Sequence, residues 1–301
     1  KFDKVFFSNS GTEAVEAGLK LCRKYGHINK GEDCYEIITM KNSFHGRTLG
    51  SVTATGQLKY QEGFGPLLPG IKYATYNDFQ SLKDVVSEKT CGIVLEIIQG
   101  EGGINPIDKK YLSKVRELCN QEEILLMFDE VQTGIGRTGE LFAYENYGIK
   151  PDIISLAKGL GGGIPIGATM AVEKVASIFK PGSHASTFGG NPIATIAGVM
   201  VLNKILNRGI LENVRKQGKY LREKLENLKI KYPIIKDIRG CGLMQGMELE
   251  IEVPKLIEEA LNRGLLLVGA GVNVVRFIPP LIINASEIDE AIEMFDRALA
   301  S

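Results

Sequence analysis

Two polar side chains that could do chemistry stand at the ends of apolar segments. Asp129 lies near the end of LLMFDEV (125–131), and Lys158 ends IISLAK (153–158). A carboxylate and an amine are costly to remove from water unless something pairs with them. Ligands of open α/β sheets bind at the carboxyl ends of the strands, so we expect both groups to face one crevice. A cofactor with a cationic ring nitrogen for the carboxylate and a carbonyl for the amine suits this pair, and pyridoxal 5′-phosphate (PLP) has both.

The segment NSGTE (9–13) could hold a phosphate. It lies between a strand-like run and a helical pattern, so that Ser10 could cap the helix while Glu13 reaches back. Free N–H groups at a helix start, the hydroxyls of Ser10 and Thr12, and the close approach allowed at Gly11 all suit a phosphate. An ordinary helix start explains the same residues, and this motif alone leaves both interpretations open.

A further loop, NSFHGRT (42–48), follows the strand-like EIITMK (36–41). Phe44 could stack on a flat cofactor ring, and Arg47 could bind a carboxylate through two hydrogen bonds. Taken alone, such a loop is more often a surface turn, and His45 could be a structural histidine.

The segment GIGRTG (134–139) matches the GxGxxG pattern of dinucleotide-binding proteins. Its glycines do not come directly off a strand, and the segment leads into Glu-Leu-Phe rather than a clear helix. A nicotinamide-dependent oxidoreductase is therefore the weaker interpretation.

Strands and helices alternate along the chain, which predicts where these residues are held. The strand-like runs lie at 5–8, 36–41, 92–98, 125–131, 153–158 and 167–172, and helical patterns lie at 12–26 and 109–121. This alternation predicts an α/β fold with a mainly parallel sheet covered on both faces. A helical pattern runs from Pro192 to Leu228, with a connecting helix at about 197–228. We expect a large domain at 1–228 and a smaller α+β domain at 229–301.

Composition narrows the class of protein. The 301 residues include 44% hydrophobic residues, enough for a sizeable core, and 36 basic residues balance 36 acidic ones. Neither a nucleic acid nor a membrane is favoured as a partner by a net charge of zero. The five cysteines are scattered and odd in number, which predicts free thiols in a reducing cytoplasm rather than disulfides or a metal site.

Together the motifs resemble the class III aminotransferases of PLP fold type I, and most closely the acetylornithine/ornithine aminotransferase group. The resemblance rests on SNSGTEAVEAGLKL, SFHGRTLGS, EIIQGEGG, MFDEVQTGIGRTG, DIISLAKGLGGGIPIGA, STFGGNP, GLMQGMEL and VRFIPPLII, in that order. It covers essentially the whole chain. It implies a mainly parallel, seven-stranded sheet covered by helices, a smaller C-terminal α+β domain and PLP as the cofactor.

The resemblance also implies a role for individual residues at the cofactor. Lys158 would bond to the cofactor and then carry a proton to and from the substrate, and Asp129 would keep the pyridine nitrogen protonated. The remaining residues expected to bind the cofactor are Ser10, Gly11, Thr12, Phe44, His45, Val131 and Gln132, with Thr187 reaching the phosphate of a neighbouring subunit. An obligatory homodimer with shared active sites follows from that last contact.

Three residues are expected to bind substrates. Arg47 would bind the α-carboxylate of the amino donor, and Arg276 would bind that of 2-oxoglutarate. Glu101 would pair with Arg276 while the amino donor is bound. The expected reaction is transamination of N2-acetylornithine with 2-oxoglutarate in arginine biosynthesis. Ornithine, succinyldiaminopimelate, a carrier-linked lysine and 4-aminobutyrate are the alternative donors.

Two departures from the family pattern stand out. Glu96-Ile97 occupies the place of a Glu-Pro pair, and the given sequence begins at the strand at 5–8, before which the family has a substantial N-terminal segment. That segment lines the substrate pocket and helps to form the dimer in the family. A non-catalytic PLP-fold protein is therefore a third interpretation.

Overall fold

The computed structural model describes residues 2–301, and Lys1 lies outside the described residues. The strands are β1 Lys4–Ser8, β2 Glu36–Met40, β3 Ile71–Ala74, β4 Thr90–Leu95, β5 Ile98–Gln99, β6 Asn105–Pro106, β7 Leu125–Asp129, β8 Ile153–Leu156, β9 Gly167–Ala171, β10 Ile235–Cys241, β11 Met244–Leu249, β12 Val268–Ala270 and β13 Val274–Phe277. The helices are α1 Gly11–Lys30, α2 Leu49–Ala54, α3 Phe79–Val85, α4 Lys109–Gln121, α5 Glu173–Ala176, α6 Pro192–Asn207, α7 Ile210–Lys231, α8 Pro254–Asn262 and α9 Ala285–Leu299.

Among the described residues, the first of two compact units comprises 2–97, 107–132 and 144–202 and contains a seven-stranded sheet. The strand order is β1-β9-β8-β7-β4-β2-β3. Only β9 runs against its neighbours, and the other pairings are parallel. The structure therefore confirms the predicted mainly parallel sheet, whose central strands β4 and β7 are buried throughout.

Helix α1 covers one face of this sheet. Its apolar side chains, among them Val15, Leu19 and Cys22, are buried against Met127 and other strand residues. A Cβ at Gly18 would lie 2.4 Å from Cε of Met127, so a larger residue there would require the end of the Met127 side chain to move. Each fully buried aliphatic side chain of this kind stabilises the fold by about 1.5–3 kcal/mol.

The second unit comprises 98–106, 133–143 and 203–301 and has an antiparallel sheet in the order β10-β11-β13-β12. The short hairpin β5–β6 belongs to the same unit. Phe277 and Phe295 meet edge-to-face in its core, with ring centroids 5.2 Å apart. The predicted α+β character of the C-terminal part is confirmed.

The predicted helical stretch 192–228 is divided in two. It breaks at Gly209, whose φ of +68° lies in the left-handed region, and α7 begins at the next residue. The predicted apolar face of α7 is buried, and its members are Val214, Leu221, Leu225 and Leu228. Because this face packs in the core of the second unit, contacts group α7 there, whereas the sequence assigned residues up to 228 to the large domain. The domain boundary at 228 stays a prediction.

Helix α6 carries an uncovered apolar face. Ile193, Ile196, Val199 and Met200 are each at least half exposed, from 50% to 71%. A contiguous exposed patch of this type usually marks a contact surface. Within residues 2–301, no single helix is long and apolar enough to cross a membrane, and only the bent pair α6 and α7 passes that test together.

The cysteines are free, as predicted. Four of them, Cys22, Cys34, Cys91 and Cys119, are buried in the first unit. Burial raises the pKa of Cys91 and of Cys119 to about 12 and raises that of Cys22 well above its ordinary value. These thiols carry little thiolate at neutral pH, so they pack as small apolar residues.

Candidate active site

The predicted site segments of the first unit meet at one edge of its sheet. Strands β8, β7, β4 and β2 are adjacent and parallel, so their carboxyl ends lie side by side. Strand β1 runs in the same direction on the far side of β9. At or just after these strand ends lie, from β8 to β2 and then β1, Lys158, Asp129, Glu96, the loop 42–48 and the loop 9–13.

Asp129 is the last residue of β7 and is 5% exposed. Its Oδ2 lies 2.8 Å from Nδ1 of His45. Its Oδ1 accepts the N–H of Val131 at 3.1 Å and the hydroxyl of Ser155 at 3.3 Å. These three donors fix the carboxylate in place at the end of the strand.

His45 is buried beside Asp129, and its backbone N–H donates to Thr55 Oγ1 at 2.8 Å. Burial opposes its charged form, but the hydrogen bond and charge of Asp129 and the charge of Glu96 outweigh burial and raise the pKa of His45. Nε2 is buried and has no hydrogen-bond partner within residues 2–301. His45 therefore acts on Asp129, and its predicted role towards a cofactor would be indirect.

Helix α1 begins at Gly11 with Ser10 as its N-cap. Ser10 Oγ accepts the N–H of Glu13 at 3.3 Å. The carboxylate of Glu13 accepts the N–H of Asn9 at 2.5 Å rather than that of Ser10, so the capping box is displaced by one residue from the predicted one. A Cβ on Gly11 would lie 2.8 Å from Cγ1 of Val131, so glycine permits the close approach. The first N–H groups of the helix have no partner within it.

Thr12 joins this helix start to the loop after β2. Its Oγ1 lies 2.9 Å from Thr48 Oγ1 and accepts the N–H of Thr48 at 3.3 Å. Thr48 Oγ1 also donates to Glu16 at 2.6 Å. Gly46, with φ of +129°, lies against Thr12, where a Cβ would clash with the hydroxyl. The loops 9–13 and 42–48 are thus held together.

Within the loop after β2, Phe44 is half-buried and Arg47 is exposed. The N–H of Phe44 donates to Glu96 at 3.1 Å. The guanidinium of Arg47 lies over the ring of Tyr60, 4.3 Å from its centroid. Arg47 has no ion-pair partner among the described residues, so its N–H groups are available to an anion.

Lys158 is exposed and lies two residues beyond β8, on the turn Lys158–Gly161. The predicted strand reached 158, but β8 ends at Leu156. The φ of Lys158 is +41°, in the left-handed region that a residue with a Cβ adopts at a cost. Backbone strain of this kind clusters at functional sites. Val131 and Gln132 lie two and three residues after Asp129 and are half-buried.

Thr187 is exposed in the loop between α5 and α6. It lines a cavity of about 430 Å³ together with Asn9 and Glu13. The neighbouring Ser186 accepts a hydrogen bond from the Asn9 side chain at 3.1 Å, which ties this loop to the start of α1. The predicted contact of Thr187 with the phosphate of a second subunit stays a prediction.

The other two predicted substrate residues belong to the second unit and contact each other there. Arg276 lies on β13 and is 8% exposed, and Glu101 lies in the turn of the β5–β6 hairpin. Nη1 of Arg276 lies 2.7 Å from Glu101 Oε1 and also donates to the carbonyl of Gly100 at 3.4 Å. The paired state expected for the two side chains is thus present.

The GIGRTG segment has a structural role that argues against a dinucleotide site. Gly136 and Gly139 have φ of +88° and +97°, and no described helix of the α type begins after them before α5. Arg137 is half-buried and donates to the carbonyls of Leu243 and Pro279, at 3.0 and 2.6 Å. Burial lowers the pKa of this guanidinium to about 10. The glycines therefore shape a packed loop rather than open a phosphate-binding helix.

The groups at the sheet edge of the first unit suit PLP by their chemistry. Asp129 offers a carboxylate in dry surroundings to a protonated ring nitrogen, and the start of α1 offers N–H groups to a phosphate. Phe44 offers an aromatic face, and Lys158 is the primary amine for a carbonyl. Within residues 2–301, no cluster of three or more His, Cys, Asp or Glu side chains could hold a metal ion.

Comparison with known sequences decides the family. The profile described as aminotransferase class-III matches residues 1–299. The chain belongs to the class III aminotransferases. A relative from Caldanaerobacter subterraneus subsp. tengcongensis, named acetylornithine aminotransferase, is 55% identical over 298 residues, which cover 99% of this chain and 76% of the relative.

Solved structures of other aminotransferases share the fold of this class III aminotransferase. The ornithine aminotransferase of Toxoplasma gondii, which has PLP at partial occupancy in its active site, matches with a TM-score of 0.94 at 34% identity, covering 99% of this chain and 72% of the other. The N-acetylornithine aminotransferase of Stenotrophomonas maltophilia matches with a TM-score of 0.85 at 35% identity, covering 99% and 75%. The cofactor of this class III aminotransferase is PLP.

Three contributors at the site were not predicted from the sequence of this class III aminotransferase. They are the pairing of His45 with Asp129, the hydroxyl of Ser155 on the same carboxylate, and the ring of Tyr60 under Arg47. Ser155 lies on the apolar strand that precedes Lys158, and this was the only available signal for it. The other two contacts join residues that carry no shared pattern.

Proposed function

We propose that this class III aminotransferase transfers the ω-amino group of N2-acetylornithine to 2-oxoglutarate, giving N-acetylglutamate semialdehyde and glutamate in arginine biosynthesis. The observation that carries the proposal is the buried Asp129, held by His45 at the strand edge that also carries Lys158. The 55% identity to a relative named acetylornithine aminotransferase supports this amino donor.

The chain divides the work of the cofactor site among a few side chains. When bound, PLP supplies a carbonyl carbon and an electron-withdrawing ring. Lys158 would hold the cofactor through its amine and would move a proton at the substrate carbon that bears the amino group. Asp129 keeps the ring nitrogen protonated. Gln132, Val131, Phe44 and the start of α1 hold the ring and the phosphate.

Recognition of the two substrates rests on the arginines. Arg47 binds the α-carboxylate of the donor through its N–H groups, which no described carboxylate occupies. Arg276 binds the α-carboxylate of 2-oxoglutarate after Glu101 has turned away, and Glu101 neutralises Arg276 while the donor, whose reacting end carries no carboxylate, is bound. The pair at 2.7 Å supports the second of these states.

The active form is a homodimer in the cytoplasm. The uncovered apolar face of α6 and the exposed Phe188 next to Thr187 support an interface on this part of the first unit. At such an interface Thr187 reaches the phosphate bound by the neighbouring subunit. The free, buried thiols support the cytoplasmic location.

Ornithine is the second candidate donor. It differs from acetylornithine only by the acetyl group on the α-nitrogen, and the match to the Toxoplasma gondii ornithine aminotransferase, with a TM-score of 0.94, favours it next.

Spectroscopy of the half-reaction tests the proposed function. The purified chain is loaded with PLP, and the visible absorbance is recorded before and after N2-acetylornithine or ornithine is added. We expect acetylornithine to bleach the band in the wild type. Lys158→Ala removes the band and the borohydride-stable attachment of cofactor, whereas the control Lys110→Ala, at an exposed position on α4, leaves both unchanged.

The other outcomes are equally clear. Bleaching by ornithine alone changes the donor and keeps the reaction class. An unchanged spectrum in Lys158→Ala overturns the catalytic assignment. If no amine bleaches the PLP-loaded wild type, the non-catalytic interpretation is supported. Light scattering before the spectroscopy shows whether the protein is a monomer, which would mean that the proposed dimer through α6 does not form.

A further inference from the structure

The guanidinium of Arg47 lies on a pair of aromatic rings. Its Cζ is 4.3 Å from the centroid of Tyr60 and 5.7 Å from that of Phe44. The two rings meet edge-to-face, with centroids 5.4 Å apart and an interplanar angle of 78°. Tyr60 is half-buried, whereas Arg47 is exposed.

Stacking of this kind restrains a guanidinium without occupying its hydrogen bonds. The ring attracts the cation through its face, and the N–H groups point outwards in the plane of the guanidinium. A carboxylate binds to those edges through two parallel hydrogen bonds. Because no described side chain forms an ion pair with Arg47, the aromatic contacts are what orients it.

Tyr60 itself is held firmly. It ends the short turn Leu58–Tyr60, and the buried side chain of the next residue, Gln61, donates to the Thr55 carbonyl at 2.8 Å and the Tyr73 hydroxyl at 2.9 Å. The turn is therefore fixed to the C-terminal end of α2.

The loop that carries Arg47 is tied to the same place. The N–H of His45 donates to Thr55 Oγ1 at 2.8 Å, and the side chain of Gln57 donates to the carbonyl of Ser43 at 3.0 Å. The loop that carries Arg47 and the turn that carries Tyr60 are thus both hydrogen-bonded to residues around Thr55. These bonds fix the position of the guanidinium relative to the ring.

We propose that Tyr60 is a positioning residue for the donor-carboxylate site: its ring fixes the guanidinium of Arg47 so that the N–H edge meets the substrate α-carboxylate. This inference rests on the proposed function, in which Arg47 binds that carboxylate. Its consequence is selectivity, since Tyr60 contributes only to binding of amines that carry a carboxylate.

Paired substrates isolate this contribution. N-acetylputrescine is N2-acetylornithine without the carboxylate, so the ratio of their kcat/KM values reports recognition of that group alone. We expect Tyr60→Leu to raise KM for acetylornithine about two- to fivefold, the loss of one partly exposed cation–π contact, with kcat little changed. N-acetylputrescine should be unaffected, and Tyr60→Phe should restore the wild-type ratio because the ring face is kept.

Two further variants complete the design. Arg47→Ala removes the carboxylate contact itself and sets the maximum loss of the ratio. Lys59→Ala is the matched control, because Lys59 Nζ also lies over the Tyr60 ring, at 4.8 Å, but on a residue with no proposed role. It should leave the ratio unchanged. Thermal unfolding of each variant accompanies the kinetics.

The results separate this inference from the proposed function. If the wild type reacts with neither amine, or if Arg47→Ala leaves the ratio unchanged, the role of Arg47 is wrong and the inference falls with it. If Arg47→Ala lowers the ratio and Tyr60→Leu does not, the inference alone is overturned. An equal loss for both amines in Tyr60→Leu, with a lower unfolding temperature, also overturns it, because that result describes a purely structural residue.

Discussion

Each of the two units contains an ion pair of nearly the same length in different surroundings. His45 and Asp129, 2.8 Å apart, join side chains that are 0% and 5% exposed, whereas Arg276 and Glu101, 2.7 Å apart, join side chains that are 9% and 25% exposed. Asp129 ends a central strand and has two further donors, but Glu101 lies in the turn of a hairpin with two-residue strands. The distance between the charged atoms therefore does not distinguish a permanent pair from one that can open. The burial of the side chains and their further hydrogen bonds do.

Physical chemistry assigns different costs to breaking the two pairs. Removing one partner of a buried pair destabilises a protein by about 3–5 kcal/mol, because a charge is left without compensation. An exposed pair contributes about 0–1 kcal/mol, and the Arg276–Glu101 pair lies between these limits. We infer that the first pair fixes a catalytic group and that the second is a pair the substrate can displace.

The largest effect is expected for Asp129→Asn. The ring nitrogen loses its ionic partner, so proton removal from the substrate should slow by about 10²–10³-fold, the usual range for losing one group that stabilises developing charge. Cofactor should still bind. Single-turnover kinetics with acetylornithine measure the rate, and near-normal turnover would show that the carboxylate has another role.

The second pair should respond in binding rather than in rate. Arg276→Ala should raise KM for 2-oxoglutarate about tenfold or more, since a charge-assisted hydrogen bond is lost, and should affect acetylornithine far less. Steady-state kinetics with each substrate varied measure the difference. The matched variant Glu101→Gln should raise KM for the amino donor and leave KM for 2-oxoglutarate unchanged. An equal rise in KM for both substrates in either variant would contradict a pair that the substrate displaces.

The last prediction concerns the pH dependence of the free energy of unfolding, which should differ between the two pairs. The pKa of His45 is raised in the folded protein, so its pairing stabilises the fold fully below the ordinary imidazole pKa of 6.5 and less as pH rises through the folded value. The free energy of unfolding of His45→Gln should therefore fall furthest below the wild type at pH 6 and approach it at higher pH.

Urea unfolding across pH 5.5–9 measures this difference. His27→Gln, which removes an exposed imidazole on α1, is the control for loss of an imidazole as such. Glu101→Gln, whose pair contains no imidazole, should give a difference that does not depend on pH. A pH-independent difference for His45→Gln would mean that the imidazole is not charged in the fold.

The first pair also shows how far the sequence reached. Asp129 and Lys158 were predicted from residues alone, because a polar group at the end of an apolar strand needs a partner. Their positions at one edge of the sheet followed from the expectation of parallel strands. The antiparallel direction of β9 could not be predicted from its sequence. The pairing of His45 with Asp129 joins positions 84 apart and depends on tertiary packing, so no local pattern could predict it.

The second unit was less accessible to sequence reasoning. Glu101 and Arg276 were expected only through the family resemblance, since neither stands in a pattern that indicates chemistry. The helical stretch around 209 was read as continuous because its apolar periodicity hides a single left-handed glycine. Tyr60 could not be predicted because its contact with Arg47 depends on how two separate loops are placed in space. The sequence of neither loop indicates that contact.

The reaction rates of the native cysteines can report how often the structure around them opens within each unit. Thiols with a pKa of about 12, such as Cys91 and Cys119, react with alkylating reagents only after the surrounding structure has opened. Cys241 of the second unit is half-buried and has a raised pKa of its own. The rates at which these native thiols are labelled therefore report, residue by residue and without any introduced probe, how often each unit loosens in solution.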